Sequence, residues 1–255
     1  MKKIVKYVII DILSNKIVLA YLFFLLLITV GLFLMEDIPE KSLTSLLTVN
    51  LMLVPLVCIV FSTIYVYNSS EFIELLAAQP IKRSTLWCSI FLGLSIALTL
   101  AFFIGCGLPI LFFAPTATGI TLLLSGLFLS IIFTAIALLS AVYTKDKAKG
   151  TGVALLLWFY FGIVFDGLVL FLLFQLMDYP LEQLITGLSL LNPLDLARIV
   201  TLLKMDTSAL MGATSAVFKQ SFEGITGTLI VYGVLCIWAI IPFYLSLRKF
   251  KKKDL

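Results

Sequence analysis

Residues 16–35 read KIVLAYLFFLLLITVGLFLM and carry no charge after the first lysine. About 20 apolar residues in a helix span the ~30 Å hydrocarbon core of a bilayer. Comparable runs recur at about 46–68, 87–114, 119–143, 151–177 and 227–247. A backbone in lipid must satisfy its own polar groups, so each run has to be a helix. Barrel strands would alternate in segments of about ten residues, which excludes a membrane β-barrel. The chain is 62% hydrophobic and 13% charged, against about a quarter charged in soluble domains. The expected fold is an all-α polytopic membrane protein with six transmembrane helices, forming a single domain over residues 1–255. The third run is long and interrupted by Gly105, Gly107 and Pro109. No small-residue cleavage site follows the first run, which therefore reads as a retained span.

Lysine and arginine set the orientation. With both termini in the cytoplasm, 14 of the 18 cations fall inside. They occupy the N-terminal segment, Lys82 and Arg83, the turn TKDKAKG at 144–150, and the stretch after Leu247. Only Lys41, Arg198, Lys204 and Lys219 lie outside. An even number of spans agrees with that placement.

The composition argues against several functions. No basic block with interleaved aromatics is present, so nucleic acid is not an expected partner. There is no histidine, and the four cysteines form no CxxC pair, so no zinc site or disulfide framework is indicated. Cu(I) favours thiolates and thioethers, but Cys58, Cys106 and Cys236 are scattered in sequence, as are Met52, Met177, Met205 and Met211. Neither a metal site nor a catalytic constellation is expected. No G-x-x-x-x-G-K-[ST] loop occurs, so any ATPase must be a separate chain.

Two connections are too elaborate for simple turns. The first is EFIELLAAQPIKRSTLW, Glu71 to Trp87. A short cytoplasmic helix is expected over about 70–79, capped by Ser69 or Ser70, with Glu71 and Glu74 at its positive end. Phe72, Leu75 and Leu76 fall on one face. Pro80 ends this helix and suits the first turn of the next. Lys82 and Arg83 suit the headgroup level. Helices that lie on lipid are usually basic on their polar face. An acidic one favours a protein partner, with membrane lipid as the other candidate surface.

The second connection is the external segment at about 178–226, containing NPLDLARIVTLLKMDTSALMGATSAVFKQSFEG. Asn192 and Pro193 start a helix, Asp195 stabilises its positive end, and Arg198 follows Asp195 at i+3. A second helix is expected from about 206–208, rich in the small residues that allow close helix approach. The segment could cover the bundle or dock a soluble partner through Asn192, Pro193, Asp195 and Arg198. Asp166 in the fifth span is an intramembrane acid, which costs about 2.5–3.5 kcal/mol to insert. It could serve a cavity or be a hydrogen-bonded structural residue. Asn50 and Gln175 read as interfacial.

The pattern ExxELLAAQPIKRSTLW, the span count and the length resemble ABC-2 type transporter permeases. Such permeases insert a coupling helix, after their second span, into a groove of a separate ATPase. The resemblance implies that Glu71, Phe72, Glu74, Leu75, Leu76, Pro80 and Arg83 form the ATPase coupling region. LSLLNPLDLARIVTLLKMDTSALMGATSAVF further resembles the NosY-type branch, associated with copper-site maturation of nitrous oxide reductase. That branch implies a homodimer in the bacterial inner membrane, with a NosF-type ATPase and a periplasmic β-helical NosD-type protein. ATP and Mg would sit on the ATPase, and this chain would bind no cofactor. The substrate stays open between copper, a sulfur species and a mechanical signal. Alternatives are an ABC-2 exporter for another small substrate and a stand-alone secondary transporter. The latter is disfavoured by a single deep acid and no paired broken helices.

Overall fold

The computed structural model describes residues 2–175, 187–205 and 225–252. All regular elements among them are helical. They are α1 (Lys2–Leu13), α2 (Lys16–Met35), α3 (Pro39–Asn68), α4 (Ser70–Ala77), α5 (Arg83–Phe102), α6 (Leu108–Phe113), α7 (Ala117–Tyr143), α8 (Lys147–Phe159), α9 (Phe165–Gln175), α10 (Pro193–Leu202) and α11 (Ile225–Lys251). Among the described residues, six helical stretches are long and apolar enough to cross a membrane: Lys16–Met35, Pro39–Asn68, Arg83–Phe113, Ala117–Tyr143, Lys147–Leu172 and Gly227–Lys251.

Two of these spans contain a π-helical turn. Phe103–Gly107 joins α5 to α6, and Tyr160–Val164 joins α8 to α9. The interruption expected at Gly105, Gly107 and Pro109 is thus a local widening of one continuous helix. Pro109 lies in the first turn of α6, where its missing N–H costs little.

The central helix is α7. Its most apolar window is 72% buried, against 11% for the fifth span and 17% for the sixth. α3, α5, α10 and α11 pack around it. Its hydroxyls fold back onto their own helix, with Thr121, Ser125, Ser130 and Thr134 each donating to the carbonyl four residues earlier. That arrangement lets polar residues sit in a lipid-excluded core with their O–H groups satisfied. A Cβ at Gly126 would collide with the Phe102 ring, so this glycine sets the α5–α7 separation.

A helix that hydropathy alone does not flag precedes the first span. α1 buries Val8 and Ile12 and exposes Tyr7 and Ile10. It lies against α5, where Val8 fills the space left by Gly93. At the same end of the bundle, Trp87 is fully buried, donates to Ser246 Oγ at 2.9 Å and stacks on Phe250 at 4.2 Å. These contacts fasten the start of the third span to the end of the sixth. The second helix expected from 206–208 lies outside the described residues.

Candidate functional site

Two elements outside the spans stand at opposite ends of the bundle. α4 follows α3 at the end shared with Lys82, Lys145 and the basic stretch of α11. Ser69 lies between α3 and α4, and its N–H bonds back to the Tyr65 carbonyl. Its side chain makes no cap hydrogen bond, so the expected serine cap is replaced by a direct turn from one helix into the next. Pro80 sits in the bend after α4 and outside the next helix, which starts at Arg83 with Lys82 as its N-cap. The proline therefore separates the two helices and does not open the third span.

The faces of α4 differ from the sequence expectation. Ile73 is the buried anchor, at 4% exposure, and Leu76 and Ala77 pack beside it against the core. Phe72 turns toward α1, with its ring 5.3 Å from that of Tyr7. Leu75 is 68% exposed, and Glu71 and Glu74 are exposed with it. Of the three apolar residues placed on one outward face, Leu75 alone is presented. Phe72 and Leu76 are held by the protein itself because the i, i+3, i+4 stripe that meets the core begins at Ile73. A cavity of about 370 Å³ opens beside α4, with Ser70, Glu74, Trp87, Lys145 and Phe250 among its lining residues.

α10 lies at the other end, beside the first turn of α7, where Thr118 Oγ1 donates to the Lys204 carbonyl at 2.8 Å. Asn192 caps it by accepting from Leu194 N at 2.9 Å. The Asn192 amide also donates to the Phe161 carbonyl at 2.9 Å. Phe161 belongs to the π turn of the fifth span, and π turns are places where a partner from outside can reach the helix carbonyls. Arg198 Nη1 contacts Asp195 Oδ1 at 3.2 Å and Asp166 Oδ2 at 2.9 Å. The intramembrane acid is thus paired with a cation from another element. Burial pushes the Asp195 carboxyl up to about 7, the Asp166 charge adds to the rise, and Arg198 opposes it.

Asn192 and Pro193 are buried, and Asp195 is 8% exposed. Covering the bundle and docking a partner were both open for this segment, and these three residues lie on its bundle side, because α10 packs inward against α7, α3 and α11. Arg198 is half-exposed and remains at the surface.

A family model described as ABC-2 family transporter protein matches residues 34–255. The chain belongs to the ABC-2 transporter family. One relative, a probable ABC transporter permease protein NosY from Pseudomonas aeruginosa, is 33% identical over 183 residues, covering 67% of this chain and 66% of the relative. A second, a probable ABC transporter permease protein NosY from Stutzerimonas stutzeri, is 26% identical over 225 residues, covering 83% of this chain and 80% of the relative.

Inside this ABC-2 bundle, Asn50 is 3% exposed. Its amide donates to Cys106 Sγ at 3.6 Å, which holds it inside the bundle. Gln175 ends α9 and is exposed. Tyr21 faces the Cys58 and Cys106 thiols from α2, so the fold brings together residues that are scattered in the sequence. Among the described residues, no group of three or more His, Cys, Asp or Glu could hold a metal ion.

Proposed function

We propose that this chain is the membrane subunit of an ATP-driven transporter, with a separate ABC ATPase engaging α4. The observation that carries this reading is the presentation of Leu75, Glu71 and Glu74 outward from a helix whose opposite face is anchored by Ile73. An apolar knob ringed by acids suits a groove with a hydrophobic floor and a basic rim. Family membership supplies the class of partner. In this reading both termini are cytoplasmic, following the distribution of cations, and the membrane is the bacterial inner membrane. The chain itself performs no catalysis and binds neither ATP nor Mg.

The NosY relatives support a narrower proposal. The chain would act as a homodimer with a NosF-type ATPase and a periplasmic NosD-type β-helical protein, in maturing the copper site of nitrous oxide reductase. The outer partner would meet Arg198 and the region after α10, since Asn192, Pro193 and Asp195 are internal.

Gentle purification of the chain from native membranes, with every accompanying protein identified, tests both levels. Recovery of an ABC ATPase together with a periplasmic β-helical protein is the expected result. An ATPase without the β-helical protein would overturn the narrower reading. Recovery of the chain alone, from membranes in which other complexes survive, would overturn both.

A further inference from the structure

The contact between α10 and the fifth span is made of few bonds over a loosely filled seam. A side chain added at Gly162 would meet only Leu194 Cδ1, at 3.8 Å. A cavity of about 250 Å³ lies there, with Thr48, Met52, Gly162, Leu194 and Arg198 in its lining. Thr48 and Met52 are exposed, so this gap opens at the protein surface. α10 is therefore held to the fifth span mainly by two polar contacts, Asn192 to the Phe161 carbonyl and Arg198 to Asp166.

The second contact carries an imbalance of charge. One guanidinium nitrogen serves two carboxylates from different elements. With both ionised, the group holds one excess negative charge, and Asp195 is buried where that charge is poorly solvated. One proton removes the excess. Among the described residues, the charged groups facing Asp195 are Asp166 from α9 and Arg198 from its own helix. The other neighbouring elements present uncharged groups: Thr48, Leu51 and Met52 from α3 at the cavity, Ser125 from α7 near Thr201, and Trp238 from α11 at the Leu190 carbonyl.

We propose that Asp166, Arg198 and Asp195 form a proton-operated clasp that holds α10 on the fifth span and loosens as pH rises. The clasp lies at the end of the bundle away from α4 and is independent of the partner that α4 engages. The sign of its pH dependence follows from comparing the two states. Docked, Asp195 takes up its proton near pH 7. Released into water, it returns to the ordinary carboxylate range near 4. The docked state therefore binds the proton more tightly. Docking weakens as pH rises from about 4 to about 7, and it levels off above that.

The test is hydrogen–deuterium exchange of the full chain in lipid nanodiscs at pH 6 and pH 8, corrected for the intrinsic pH dependence of exchange. The α10 amides should be about tenfold better protected at pH 6 than at pH 8, while buried amides in the middle of α7 keep the same protection. Asp195→Asn should remove the difference, because its side chain is neutral at both pH values. Asp166→Asn should move the transition to lower pH, because Arg198 then serves a single carboxylate. Equal protection of α10 at both pH values in the native chain would overturn the clasp. So would a tenfold fall that persists in Asp195→Asn, or an unmoved midpoint in Asp166→Asn.

Discussion

Ile73 and Leu75 sit two positions apart on α4 and face opposite ways. Ile73 is in the core, and Leu75 is in solvent. Leu75→Asp should leave membrane insertion and thermal stability unchanged, because no buried contact is lost, while abolishing stimulation of the partner ATPase in reconstituted membranes. Ile73→Ala should instead lower stability by roughly 2–5 kcal/mol, as large-to-small changes at buried sites do, measured by thermal unfolding in detergent. Asn192 has two partners, Leu194 N and the Phe161 carbonyl. Asn192→Ala removes a cap and strands a carbonyl, so a loss of about 1–3 kcal/mol is expected, seen as faster exchange at the start of α10. The capping of α10 and the Asp195–Arg198 spacing were legible in the sequence because they are local. The Asp166–Arg198 contact was not, because it depends on how the chain brings α10 back over the fifth span.

The spans were legible as elements, since length and hydropathy decide whether a helix can cross a bilayer. α1 escaped that criterion because it is short, with four charged residues in twelve, and its partner, the groove at Gly93, is visible only in three dimensions. The inward face of α4 was misread for a related reason. Phe72, Leu75 and Leu76 cluster at helical spacing, but so do Ile73, Leu76 and Ala77. Only the position of the core, and of Tyr7 on α1, separates the two stripes. The π turn in the fifth span left no clear signal in YFGIV, yet it is where α10 attaches. Between elements, Gly126 controls the approach of α5 to α7. Gly126→Val should cost about 1–3 kcal/mol by overpacking against Phe102, measured as reduced thermal stability of the purified chain.

At the scale of the whole molecule, a heavily packed central helix separates two ends with different devices. One end presents α4, backed by the Trp87–Phe250 stack that ties the third span to the sixth. The other carries α10, attached to the π turn of the fifth span over a partly empty seam. α7 touches α3 and α5, which flank α4, and also α10, so it is the physical route between the ends. In the proposed function α4 is the surface that an ABC ATPase grips. A photo-crosslinking residue placed at Leu75, with the same residue at Lys41 as a control near the opposite end, tests that claim directly in native membranes. The expected result is a discrete adduct from position 75, identified by mass spectrometry as an ABC ATPase, and no such adduct from position 41. Adducts to lipid alone at position 75, or the same protein adduct from both positions, would contradict it.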